Sequence, residues 1–311
     1  MSRSLDFPDI DPETWAFIDR TEAFYPANGQ QMSIADQRRV YDRMCRAFHA
    51  PTPTTIETTD TMVSGVPVRI YTRGASTATV VYLHGGGFVV GGLHSHDDVC
   101  AELCDRSGYR VIAVDYRLAP EHRHPAAFDD CLAVVRSVAR SMTTPLVLVG
   151  DSAGGCLAAC VSARVPEVIA GQILIYAGLG GDRTKGSYVE WARAPMLTTE
   201  DLYDYDALRF DGEVPAGDPT AIPLAAPVHG HLPPTVLITA SCDPVRDDSR
   251  VYRDRIRAAG GKAHWVDETG LVHGYLRARH SVGRAAASFD RIVEALRALG
   301  SGRWPYRTDR P

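Results

Sequence analysis

Apolar positions recur every three or four residues near the start of the chain, and the period then changes. Val40, Tyr41, Met44 and Phe48 fall on one face of a predicted helix. Its start is marked by Ser33-Ile34-Ala35-Asp36, where a serine hydroxyl can cap the first turn, and Pro51 and Pro53 end it. From about residue 55, short apolar runs alternate with amphipathic stretches. The runs predict strands over Val66 to Tyr71, Thr79 to Leu83, Tyr109 to Val114, Leu146 to Val149, Gln172 to Tyr176, Thr235 to Ala240 and Ala263 to Val266. Helices are predicted over Asp97 to Ser107, from Pro125 to about Arg140, after Ser152, up to Ala259, and from Arg284 to Leu299. Gly108 and Gly260 stop two of them, and Pro125 suits a first helical position. Bare apolar strands between helices call for a mostly parallel sheet covered on both faces, an α/β fold. Residues 178–217 break the rhythm: Trp191, Tyr203, Tyr205 and Phe210 stand among glycines, prolines and acids with no clear strand.

Composition removes several classes of function. The 311 residues are 45% hydrophobic and 23% charged, enough apolar material for a large core. A formal net charge of −5 with no basic block argues against nucleic acid as a partner. No run approaches the roughly 20 apolar residues that span a bilayer. The first ten residues mix acids and prolines where a secretory signal places an apolar run. The expectation is a soluble, cytoplasmic protein. The odd set of seven cysteines fits a reducing compartment better than a disulfide framework. Cys100/Cys104 and Cys156/Cys160 are one helical turn apart, but without a C-x-x-C they read as packing residues.

Candidate chemistry begins at Gly150-Asp151-Ser152-Ala153-Gly154, a G-x-S-x-G between an apolar strand and a helix. A nucleophilic serine needs a tight strand-to-helix turn that exposes its Oγ, and flanking glycines let the backbone close. His84-Gly85-Gly86-Gly87-Phe88 follows another strand and offers bare backbone N–H groups. The N–H groups of Gly86, Gly87 and Ala153 are the expected oxyanion hole, with Gly85 able to replace one. A nucleotide site is not supported, because position 90 is valine where G-x-G-x-x-G needs glycine, and no G-K-[ST] occurs. His273 is the candidate base, in a predicted loop between the strand ending near Val266 and the last helix. Asp243 follows the Val236–Ala240 run by three positions and is the candidate acid, giving the order serine, acid, histidine. Asp247 and Asp248 compete, but fall in the first turn of the next helix, where acids serve the helix dipole. His94-Ser95-His96-Asp97-Asp98 resembles a metal-hydrolase H-x-H-x-D, and the spacing repeats at His122/His124 and His229/His231. The H-x-H-x-D-H continuation fails at Val99, so no metal is expected.

Five blocks taken in order resemble the bacterial hormone-sensitive-lipase-like carboxylesterases: His84 to Phe88, Asp115 to Glu121 as D-Y-R-L-A-P-E, Gly150 to Gly155, Asp243 to Asp248, and His273-Gly274-Tyr275. The resemblance implies an α/β-hydrolase fold with core 55–177 and 218–311 under a helical cap of 1–54 and 178–217. It implies a hydrolase of carboxylic esters, mostly with short acyl chains, that uses neither metal nor cofactor. The D-Y-R-L-A-P-E block is structural in the family, so Glu121 is not taken as catalytic. A homodimer through about residues 263–299 is a further implication. An amidase or peptidase with the same triad, or a non-catalytic receptor on this fold, are the alternatives. Tyr275 stands where phenylalanine is usual, Ala177 where proline is frequent, and Ile222 where serine is more common, which bears on the cap and not on the triad. Trp15, Phe17, Trp191, Tyr203, Tyr205 and Phe210 are the aromatics expected in or near the cap.

Overall fold

A computed structural model describes residues 7–26, 32–227 and 230–307. Eight strands form one sheet: β1 (Glu57–Val63), β2 (Val66–Thr72), β3 (Thr79–Leu83), β4 (Arg110–Val114), β5 (Leu146–Asp151), β6 (Gly171–Ile175), β7 (Thr235–Cys242) and β8 (Ala263–Val272). Their order is β1-β2-β4-β3-β5-β6-β7-β8. β1 and β2 pair antiparallel, β2 pairs antiparallel with β4, and all other pairs are parallel. The helices are α1 (Pro12–Glu22), α2 (Ile34–Phe48), α3 (Asp97–Ser107), α4 (Ala126–Ser141), α5 (Ala153–Arg164), α6 (Ser187–Glu190), α7 (Thr199–Arg209), α8 (Arg246–Ala258) and α9 (Gly283–Gly300). This is the mostly parallel sheet expected from the alternation of runs, in the α/β-hydrolase arrangement that the resemblance implies.

Parallel strands bury both faces, which is why their sequences are apolar throughout. β3 and β5 are wholly buried. One face packs on Ile18, Met44, Leu103 and Phe289 from α1, α2, α3 and α9. The other packs on Val134, Leu157 and Tyr252 from α4, α5 and α8. Each such side chain contributes about 1.5–3 kcal/mol on burial. Parallel strands also share a direction, so β3, β5, β7 and β8 end at one edge of the sheet. The chain there leaves Leu83, Asp151, Cys242 and Val272, and a sheet of this kind binds its ligands at that edge.

Four features add to the sequence reading or depart from it. β1 is a strand although every position but Val63 is exposed. It lies at the sheet's edge, where polar side chains face water on both sides, and Arg69 of β2 pairs with its Asp60. β8 continues six residues past Val266, and its pairing with β7 shifts register between Ala240 and Cys242. Segment 178–217 holds α6 and α7, the latter started by a reciprocal cap between Thr198 and Asp201. Pro125 precedes α4 instead of opening it.

The peripheral pieces are tied down by charge and backbone donors. Arg38 of α2 pairs with Glu121 and donates to the carbonyls of Val89 and Ala119. Asp248 of α8 accepts from the backbone N–H groups of Leu179 and Gly180 and from the Tyr188 hydroxyl. The seven cysteines are buried and unpaired. No helix among the described residues is long and apolar enough to cross a membrane.

Candidate active site

Ser152 occupies the turn between β5 and α5 with φ +52° and ψ −119°, a conformation a non-glycine residue holds only where its surroundings enforce it. Its N–H donates to the Ile175 carbonyl at 2.9 Å. Gly154 lies so close to β3 that a Cβ there would meet the Leu83 carbonyl oxygen at 1.9 Å. The glycine of the motif is therefore a packing requirement of the turn.

The structure brings the three separated candidates together. Ser152 Oγ lies 2.8 Å from His273 Nε2, and His273 Nδ1 lies 2.7 Å from Asp243 Oδ2. Asp243 is fully buried in the turn after β7, and its Oδ1 accepts the Val245 N–H at 3.0 Å. His273 directly follows β8, so the longer strand, not a loop, sets its position. The Tyr176 ring lies against the imidazole at 4.9 Å between centroids. Asp247 and Asp248 are drawn to segment 178–190: Asp247 accepts the Ser187 N–H, and Asp248 the donors named above.

The glycine loop faces the same point. Gly86 and Gly87 have φ of +130° and +60°. Among the described residues no protein acceptor takes the N–H of Gly86, Gly87 or Ala153. The Tyr205 ring of α7 rests on Gly87, where a Cβ would come within 2.3 Å of it.

Asp151 organises the floor of the site, a role the sequence reading did not assign. Its Oδ1 accepts the Tyr82 hydroxyl and the Gly85 N–H at 2.8 and 2.9 Å, and its Oδ2 meets Tyr176 Oη and His96 Nε2 at 3.2 and 3.3 Å. Burial works to raise its pKa, but the His96 charge and the hydrogen bonds outweigh it and hold the carboxyl below the usual range. Asp151 thereby joins the nucleophile's turn to the glycine loop. The signal was the acidic residue within G-x-S-x-G, whose meaning depends on Tyr82 of β3, Gly85 and His96 in the segment between β3 and α3, and Tyr176 just past β6. His84 stacks on Tyr116 at 4.2 Å, and burial, aided by His96, lowers its pKa to about 4.

The histidines of the rival metal pattern have other partners: His94 meets Asp42 at 2.7 Å, and His124 meets Asp218 at 3.2 Å. His231 is exposed, and His229 lies outside the described residues. Among the described residues no cluster of three or more histidines, cysteines or acids has the arrangement of a metal site.

A cavity of about 760 Å³ opens over Ser152. Trp15, Tyr205 and Phe210 line it, together with Met44, Phe88, Leu197 and Ile222. The other aromatics expected in or near the cap do not line the cavity: Phe17 packs on Phe48, Trp191 stacks on Phe7, and Tyr203 is exposed. Tyr275 uses the hydroxyl that phenylalanine lacks to bond Ser288 Oγ at 2.7 Å.

A strand-turn-helix serine facing a histidine, an acid and bare glycine amides defines the class of nucleophilic hydrolases. The profile of the alpha/beta hydrolase fold family matches residues 80–277. Esterase LipI of Mycobacterium tuberculosis is 35% identical over 240 residues, covering 73% of this chain and 75% of the relative. Carboxylesterase NlhH of the same species is 34% identical over 253 residues, covering 76% and 79%. The crystal structure of an esterase from the bacterial hormone-sensitive lipase family superposes with a TM-score of 0.84 at 28% identity, covering 92% of this chain and 98% of that one. The chain belongs to the α/β-hydrolase family, in its bacterial hormone-sensitive-lipase-like carboxylesterase branch.

Proposed function

We propose that this carboxylic ester hydrolase works through an acyl-enzyme on Ser152, with His273 as base and Asp243 holding it. The observation that carries the reading is the unbroken relay of 2.8 and 2.7 Å from Ser152 through His273 to Asp243. His273 Nε2 takes the proton as Ser152 Oγ attacks the ester carbonyl, and the new oxyanion is met by the N–H groups of Gly86, Gly87 and Ala153. Collapse breaks the bond to the alcohol oxygen, which leaves with the proton from His273. Water then repeats the sequence and releases the acid.

Residues 1–54 and 178–217 act as a cap on a core of 55–177 and 218–311. In support, α1, α2 and α7 supply Trp15, Met44 and Tyr205 to the cavity wall. Aromatic walls around Ser152 favour acyl groups from acetyl to hexanoyl over long emulsified chains. The test is hydrolysis of p-nitrophenyl esters from acetyl to dodecanoyl, with Ser152→Ala beside the wild type. Activity should peak at the short chains and fall by several orders of magnitude in the variant, at an unchanged Tm. A variant working at near wild-type rate would overturn the nucleophile.

A further inference from the structure

The cavity wall contains a cation with no acidic group in contact with it among the described residues. Arg277 follows His273 by four residues, on the short 3₁₀ turn Tyr275–Ala278, and its side chain lines the cavity. Its Nη1 lies against the backbone of Gly274, 3.1 Å from where a Cβ there would sit, and its Nη2 donates to the Tyr41 hydroxyl. Nε is buried and has no hydrogen-bond acceptor. The guanidinium lies 4.9 Å from the Tyr41 ring centroid, and the Cys45 thiol is its other close neighbour. Burial keeps both Tyr41 and Cys45 neutral. Among the described residues no carboxylate lies within 4.0 Å of this guanidinium.

The other charged groups on the wall are provided for. Arg183 pairs with Asp206 at 2.7 Å, and Glu22 and Arg193 are exposed. Arg209 lies between the faces of Phe88 and Phe210, 3.7 and 4.8 Å from their centroids, and donates to the Ala221 carbonyl. Asp201 closes the cap of α7, and Asp151 is occupied by the donors beneath Ser152. The guanidinium feels the charge of Asp151 only through space, and a sequestered charge with no carboxylate in contact is costly to keep. Arginine is the side chain best shaped to meet a carboxylate.

We infer that Arg277 is a specificity residue that receives a free carboxylate on the substrate, so the preferred substrates are esters carrying one negative charge. The inference rests on the ester-hydrolase reading above, since the anion is placed beside the ester at Ser152. The carboxylate belongs either to the acyl part, as in a half-ester of a dicarboxylic acid, or to the alcohol part, as in an acylated hydroxy acid. Two matched pairs separate these sources. Mono-p-nitrophenyl glutarate against p-nitrophenyl pentanoate reads the acyl side, and 4-acetoxybenzoate against 4-acetoxybenzamide reads the alcohol side.

Wild-type enzyme should favour the charged member of one pair by about tenfold or more in kcat/KM, the range of a charge-assisted hydrogen bond. Arg277→Gln should bring that ratio towards one, and Arg277→Lys should restore part of it. Equal rates within both pairs overturn the inference, as does a loss in Arg277→Gln that falls equally on charged and neutral members. Calorimetric titration of the wild type with glutarate reads the anion site without turnover and does not depend on the variants folding. Glutarate binding in a protein that cleaves no ester upholds the site and defeats the ester reading. Cleavage of neutral esters with neither glutarate binding nor charge preference defeats the inference alone.

Discussion

At the scale of single residues, Asp243 shows how a buried acid fixes what its neighbour can do. One of its oxygens is taken by the Val245 N–H and the other faces His273 Nδ1, so the carboxylate has no freedom to turn. In the proposed mechanism, as an acceptor it keeps the imidazole proton on Nδ1 and leaves Nε2 free to take the proton of Ser152. Asparagine would fit the same space, but the Val245 N–H would hold its carbonyl oxygen and present the amide N–H₂ to His273. The imidazole would then carry its proton on Nε2, facing the serine hydroxyl with a donor instead of an acceptor. Asp243→Asn should lower kcat by about 10⁴-fold, the scale known for the wrong tautomer in serine hydrolases, while leaving thermal unfolding within a few degrees. Steady-state kinetics with p-nitrophenyl butyrate measures this, and a loss under tenfold would reject Asp243 as the orienting acid.

At the scale of elements, the aspartates of α8 carry more than the helix dipole suggested by their place in its first turn. Buried Asp248 gathers the N–H groups of Leu179 and Gly180 and the Tyr188 hydroxyl, so one side chain fixes the start of segment 178–217 to the core. Asp248→Ala strands those donors and should cost about 2–4 kcal/mol. Because Leu197 and Tyr205 reach the cavity from the same segment, KM should rise more than kcat falls. A lowered Tm together with new proteolytic cuts between 178 and 217 is the expected pair of readouts. The contact explains what the sequence could and could not convey. Buried strands and capped helices announce themselves locally, so most strands and α3 were legible, and the G-x-S-x-G and H-G-G-G blocks marked the residues that meet at the cavity. β1 was not legible because an edge strand solvated on both faces carries no apolar period. α7 was obscured because its buried face is supplied by a cavity wall, not by a regular core. The roles of Asp151, Asp248 and Arg277 could not be read locally, since each acquires its meaning from partners such as Gly85, Leu179 and Tyr41, 60 to 240 residues away.

At the scale of the whole molecule, two buried groups make stability depend on pH in opposite senses. His84 is held neutral: burial lowers its pKa from 6.5 to about 4, so between those values the unfolded chain binds a proton that the folded protein refuses. Its contribution is complete above pH 6.5 and lost as pH falls towards 4. Asp248 runs the other way: burial raises its pKa from 3.8 to about 6 against the hydrogen bonds it accepts, so the folded protein takes the proton first. Its contribution is complete below pH 3.8 and lost as pH rises through 6. Each is worth about 3 kcal/mol at most, and over the shared window they largely cancel. Removing one should expose the other. Relative to wild type, His84→Gln should lose stability as pH rises from 4 to 6, and Asp248→Asn should gain it between 4 and 6.5. Urea unfolding midpoints taken every half unit of pH give both slopes. Parallel curves for wild type and the two variants would show that neither group titrates differently in the folded protein, and opposite slopes would show that the glycine loop's histidine and the latch on segment 178–217 balance each other.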